Sequence, residues 1–238
     1  MSRLLSTQMN LSFRRKEPFS FFEPEGRNVR RSAFDGWLEE KARGKICGRQ
    51  EREGGIILQY HKQIRLKNNM ECCLRSGREE DGQAVFENFN LTHSQTDYLL
   101  TYPDENRFDA VQEGEFLRKK ADSNNEIEII AVVGNTVAGT AGIEAVGTKS
   151  KVRHRAEFGI SVDREFWGLG IGKALMDACI ECAGNAGYEQ LELNVVAENT
   201  RAVSMYEKAG FVEYGRNPKG FKSRTAGFQE LIYMRLEL

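Results

Sequence analysis

The chain has 238 residues, of which 40% are hydrophobic and 29% charged, with a net charge of −1. That is room for one large domain, or an ordinary domain with an extension. Only 4 prolines exclude a proline-rich disordered chain, and no run approaches the ~20 consecutive apolar residues of a membrane helix. The 5 cysteines are an odd number, with Cys72 and Cys73 adjacent, which is no disulfide framework. With no signal-peptide pattern at the start, a cytoplasmic protein without a membrane partner is expected.

The charge is unevenly divided. Residues 1–69 carry 15 Lys/Arg and 8 Asp/Glu, whereas residues 70–238 carry 19 and 27. In 1–69 basic clusters such as Arg14-Arg15-Lys16 alternate with Phe19, Phe21, Phe22 and Trp37, and no period of 2 or 3.6 persists. The best elements there are a helix over 32–42 and a short strand over 56–60. Residues 1–69 therefore read as a basic, poorly ordered extension, or as the product of an over-long start with Met70 as the natural one. A nucleic-acid-binding arm is the alternative, but charge and aromatics without a binding motif do not lead us to expect nucleic acid as a partner.

From Met70 every segment is readable. A strand is expected at 71–76 and a helix at 79–92, with Val85, Phe86 and Phe89 on one face. A loop containing Pro103 covers 98–108, and a helix with Phe116 and Leu117 inward covers 111–121. Strands at 127–133 and 136–145 are joined by the Gly134-Asn135 turn as a hairpin. Residues 152–163 alternate, with Val152, His154, Ala156, Phe158, Ile160 and Val162 on one face and Glu157 among the polar residues of the other. A glycine-rich loop then leads into a helix with Ile171, Leu175, Ala178, Cys179 and Cys182 at helical spacing. A strand at 190–196, a short helix capped by Asn199 or Thr200, and strands at 211–214 and 228–236 complete the chain.

The loop Trp167-Gly168-Leu169-Gly170-Ile171-Gly172 lies between a strand and a helix. Glycines let backbone N–H groups approach an anion, and the helix N-terminus adds about half a positive charge; Lys173 is a further cation. A dinucleotide fingerprint fails because Lys173 stands where its third glycine belongs. A P-loop fails because Ala174 replaces the hydroxyl residue and Trp167 the first glycine. About thirty residues later comes Asn199-x-x-Ala202-x-x-x-Tyr206-x-x-x-Gly210-Phe211.

These two motifs together resemble the GNAT superfamily of acetyl-CoA-dependent N-acetyltransferases. The resemblance covers about residues 70–238. The family's pyrophosphate signature, Q/R-x-x-G-x-G/A, is matched by residues 167–172 except that Trp167 stands at its first position. The resemblance implies an α/β fold: a mixed, twisted sheet of six or seven strands flanked by helices on both faces. It also implies acetyl-CoA as co-substrate, an amine acceptor, no metal, and a monomer or homodimer. Coenzyme binding would fall to Trp167, Gly168, Leu169, Gly170, Ile171, Gly172 and Lys173, to the segment Ile160, Ser161 and Val162 along the pantetheine arm, and to Asn199 and Tyr206.

Amide formation sets the remaining roles. An alkyl ammonium with a pKa near ~10 must lose a proton before attacking, so a base is needed. Glu157, on the polar face of its strand, is the expected base; the bland alternative is a solvated carboxylate paired with Arg153 or Arg155. Tyr206 occupies the position of a general acid toward the coenzyme A sulfur in similar proteins, although it also belongs to an apolar stripe with Ala202, Val203 and Ala209. Asn194 stands where some relatives carry a catalytic glutamate and can only orient water or substrate; Glu192 shares its face. His154 reads as a core or interface residue, and the cysteines as packing residues. The acceptor loops are expected at 98–108 and 216–229, and the acidic balance of 70–238 favours a cationic amine. A second reading, an acyl-CoA-binding sensor on the same fold, keeps the glycine loop but needs neither Tyr206 nor Glu157.

Overall fold

The computed structural model describes residues 47–52 and 55–238. Among them nine strands form a sheet in the order β1-β2-β3-β4-β5-β6-β7-β9-β8. The strands are β1 (Cys47–Arg52), β2 (Gly55–Arg65), β3 (Glu71–Ser76), β4 (Ile127–Val133), β5 (Thr136–Ala145), β6 (Arg155–Val162), β7 (Gln190–Val196), β8 (Val212–Ser223) and β9 (Gly227–Glu237). Four helices accompany them: α1 (Gly82–Gln95), α2 (Ala110–Ala121), α3 (Ile171–Ala186) and α4 (Thr200–Lys208). Every neighbouring pair is antiparallel except β6 and β7, which are parallel because α3 carries the chain back between them.

Helices cover both faces. Ile127, Ile129, Ala131, Ile143, Ala156, Phe158, Leu191 and Leu193 point into one core with Ile171, Leu175, Cys179 and Cys182 of α3. The alternate residues Ile130 and Val137 meet Val85 of α1 and Leu117 of α2 in a second, smaller cluster. Alternation along each strand thus distributes side chains between two helical layers, as a two-sided α/β sheet requires. Cys72, Cys179 and Cys182 are buried packing residues.

The expected elements 71–76, 127–133, 136–145 and 190–196 stand at those bounds. Three differ. Residues 152–154 are not strand: Val152 N–H bonds Lys149 C=O and Arg155 N–H bonds Val152 C=O, closing a turn, and β5 ends opposite Ala156, so they have no rung to join. The first helix is preceded by a 3₁₀ turn over Glu79–Asp81 and runs on to Gln95. β8 is far longer than expected; as a mostly exposed edge strand it carries no apolar alternation to read.

The two strands beyond the expected six or seven come from the N-terminal segment. β2 was expected to lie in the extension before Met70, yet its Leu58 and Tyr60, with Leu66 just beyond it, are buried in the main core. It pairs with β3 from His61↔Arg75 to Arg65↔Glu71. The boundary drawn at Met70 therefore cuts through the sheet. The physical cause of the misreading is that β2 carries His61, Lys62, Gln63 and Arg65 on a half-exposed surface, which dilutes its alternation. The helix expected over 32–42, and the expected disorder of the rest of the extension, lie outside the described residues.

Candidate active site

β6 and β7 share only three rungs, Arg155↔Gln190, Ala156↔Leu191 and Glu157↔Glu192. β6 then stays with β5 as far as Val162, while β7 stays with β9 as far as Val196. The sheet therefore parts immediately beyond the Glu157–Glu192 rung, and the β6 backbone facing the gap has no partner strand. Ile160, Ser161 and Val162 line this edge and are partly exposed.

The glycine loop closes the wide end of the gap. Gly168 has φ +83° and Gly170 φ +104°, and a Cβ built on either meets no atom within 4 Å. Two left-handed residues in so short a loop turn its amides outward, and the open space is where an anion can approach them. Gly170 also caps α3, whose first turn contributes free N–H groups. Ile171 is buried and anchors the helix start. From below, the Leu169 carbonyl accepts the Lys67 N–H at 3.2 Å, so the turn after β2 supports the loop. The loop suits a diphosphate in its backbone geometry. Lys173 differs from expectation: its Nζ is bound to Asp177 at 2.6 Å one turn along the same helix. The Asn199 side chain is likewise engaged, capping α4 by accepting from Ala202 N–H at 3.4 Å.

At the narrow end three glutamates stand abreast, since Glu144, Glu157 and Glu192 are register partners on β5, β6 and β7. Arg155, considered as a partner for Glu157, instead grips both oxygens of the Glu192 carboxylate, with Nη2 at 2.7 Å from Oε2. Lys120 of α2 reaches Glu144 at 2.9 Å and Glu126 at 2.8 Å. Glu157 is left between two carboxyls that are each held in an ion pair. Burial first, then Glu192 and Glu144, push its pKa up to about 7, with Arg155 opposing. Glu144 and Lys120 are the residues the sequence reading missed here; a two-strand register was needed to bring them into line.

Tyr206 of α4 is buried against Phe158 of β6 and Phe211, with ring centroids at 6.2 and 5.9 Å. Burial pushes its phenol well above the ordinary range, so it is protonated at neutral pH. Asn194 is half-buried on the Glu192 face, opposite Tyr233 of β9. His154 is partly buried, and its carbonyl accepts from Glu189 and Gln190 N–H groups where β7 begins.

A cleft of about 540 Å³ opens at the wide end, lined among others by Tyr98, Arg164, Trp167, Glu198, Phe228 and Gln229. Gln229 is 5% exposed, and its Oε1 meets no donor among the described residues. The cleft lies between the α1–α2 loop and the β8–β9 hairpin, the two expected acceptor loops. They are tied together: Asp97 accepts from Ser223, from Tyr102 at 2.9 Å and from Thr225 at 2.9 Å. Arg224 bonds Asp104 at 2.8 Å and stacks over Tyr102.

The model of the acetyltransferase (GNAT) family matches residues 89–211, the stretch from α1 through the glycine loop to Phe211. The chain belongs to the GNAT family. An acetyltransferase of the GNAT family from Streptococcus pneumoniae shares 27% identity and superposes with a TM-score of 0.67, covering 70% of this chain and 99% of that one. A Salmonella typhimurium protein solved with its cofactor acetyl-CoA has a TM-score of 0.62 at 17% identity, covering 70% and 94%, and shows the shared GNAT fold. Among curated relatives, L-amino acid N-acetyltransferase AaaT of Escherichia coli is 31% identical over 108 residues, 45% of this chain and 65% of that protein. The E. coli ribosomal protein bS18-alanine N-acetyltransferase is 32% identical over 81 residues, 34% of this chain and 54% of that protein. The chain thus spans less than two thirds of the length of these two curated relatives.

Proposed function

We propose that this chain transfers an acetyl group from acetyl-CoA directly to a primary amine, carried by a small molecule or a protein N-terminus. The observation that carries the reading is the parting of β6 and β7 immediately beyond Glu157, a carboxyl with a pKa near neutrality, beside an open glycine cradle. When bound, acetyl-CoA supplies a thioester carbonyl as electrophile and a thiolate as leaving group. The amides of the glycine loop and the first turn of α3 would hold its diphosphate, and the free edge of β6 would hold the pantetheine arm. Backbone N–H groups on that edge are also donors for charge developing on the carbonyl oxygen.

Glu157 would take the proton from the amine, directly or through water. With a pKa of about 7 it is near the ideal for a base working near neutrality. Asn194, lacking a basic oxygen, would orient water or amine. Tyr206, kept neutral by burial, would donate its proton where sulfur departs. The row of carboxylates favours a cationic amine, and the free Oε1 of Gln229 offers an acceptor for an N–H group in the cleft. The names of the relatives support nitrogen as the acetylated atom, on an L-amino acid in one case and a ribosomal-protein alanine in another.

The test is an acceptor screen with acetyl-CoA as donor and free thiol as readout, spanning amino acids, polyamines, aminoglycosides and short peptides. Amine-dependent thiol release above hydrolysis is expected with at least one class. Tight coenzyme A binding with no release in any class would leave the sensor reading in its place.

A further inference from the structure

Trp167 stands where the signature of the glycine loop has Gln or Arg, and Lys173 meets Asp177 one turn along the helix. The structure brings in another cation. The Trp167 indole is 40% exposed, and its Nε1 donates to the Val162 carbonyl at 2.7 Å, which fixes the ring at the edge of the loop. Two guanidinium groups lie over that ring, Arg201 at 5.2 Å from its centroid and Arg164 at 5.4 Å. Neither forms an ion pair among the described residues.

Arg201 is the second residue of α4, following the Asn199 cap and Thr200. A cation there faces the positive end of the helix dipole and is disfavoured unless an anion lies near. The same face of α4 continues one turn later with Met205, whose Sδ lies 3.6 Å from where a Cβ on Gly172 would stand. The face bearing Arg201 thus runs along the start of α3, beside the cradle. An indole platform holds a guanidinium without neutralising it.

We propose that Arg201, held on the Trp167 indole, is a phosphate-binding residue for coenzyme A and supplies a side-chain cation beside the loop where the signature residue is absent. This rests on the reading of the loop as a coenzyme A cradle. The phosphate is either the diphosphate or the 3′-phosphate, and both present the same dianionic chemistry to a guanidinium.

Titration calorimetry of the full chain with coenzyme A and with 3′-dephospho-coenzyme A tests this. Arg201→Ala should weaken coenzyme A binding about tenfold at low salt, the effect of one lost charge-assisted contact. The deficit should shrink in high salt, where screening already weakens the contact. Trp167→Leu, which keeps both charges but removes the platform, should weaken binding by about threefold, through lost preorganisation. Persistence of the Arg201→Ala deficit with the dephospho compound assigns the diphosphate; its disappearance assigns the 3′-phosphate. Wild-type affinity for coenzyme A in a variant of unchanged melting temperature overturns the proposal. Failure of the wild-type chain itself to bind coenzyme A overturns the acetyltransferase reading beneath it.

Discussion

Replacing Glu157 with glutamine keeps shape and hydrogen bonding while removing a carboxyl whose pKa is raised first by burial and then by Glu192 and Glu144. With a folded pKa of about 7, roughly a tenth of the wild-type molecules carry the base form at pH ~6 and roughly nine tenths at pH ~8. Because the base form accepts the proton, activity climbs with pH, by about tenfold over that interval. A glutamate of ordinary pKa is already ~97% ionised at pH ~6 and contributes no slope. The acceptor amine titrates over the same range, so the informative quantity is the ratio of wild-type to Glu157→Gln kcat/KM at each pH. That ratio is expected to rise about tenfold from pH ~6 to ~8 and to level off above, at a value of about 10² to 10³. Glu192→Gln removes the largest of the two charges raising the pKa and frees Arg155 to oppose it, so the midpoint should move below 7. A ratio that stays flat from pH ~6 to ~8 would refute the base assignment.

Three further outcomes are expected. Gly170→Val places a Cβ in the space the anion needs, at a φ of +104° that L side chains rarely adopt, and should weaken coenzyme A binding at least about tenfold by calorimetry. Tyr206→Phe keeps the ring packed against Phe158 and Phe211 but removes the proton donor; kcat should fall about 10²-fold while the acetyl-CoA Kd changes little. A chain starting at Met70 loses Leu58, Tyr60 and the Lys67 amide that supports Leu169, so both its melting temperature and its coenzyme A affinity should drop; Leu58→Ala in the full chain should by itself lower stability by about 2–5 kcal/mol.

The parts of the fold legible in the sequence are those with strong local grammar. β4 and β5 read as short, nearly continuous apolar runs because both their faces are packed, β7 carries Leu191, Leu193 and Val195 on one face, and the Gly134-Asn135 turn and the Asn199 cap announce themselves by residue type. β2 and β8 were harder, since each shows a half-exposed surface in which polar residues interrupt the pattern. Within the site, the glycine loop and Tyr206 sit in contiguous motifs and could be read directly. The neighbours that give Glu157 its pKa could not, because Glu144, Glu192, Arg155 and Lys120 converge only through strand register and the seating of α2. Lys173 reads as a further cation from its position alone; its contact with Asp177, four residues on, is visible as a spacing but carries no weight without the geometry. The tie between the two acceptor loops joins residues 120 or more apart and left no local trace.

The three-rung contact between β6 and β7 bears on how the molecule holds together. The ladder is shortest in the interior of the sheet, and β1–β6 and β7–β9 are held together there also by the Arg155–Glu192 grip, the shared side-chain core and Tyr206 of α4 against Phe158. A ligand lying along the free edge of β6 and bound on both sides of the seam would act as the missing rungs. By mass action, a ligand present at a hundred times its Kd adds about 2.7 kcal/mol to the folded state. For this chain that gain would be concentrated at the seam, so the ligand would slow amide exchange most along residues 158–162 and 193–196 and raise the melting temperature of the two halves together.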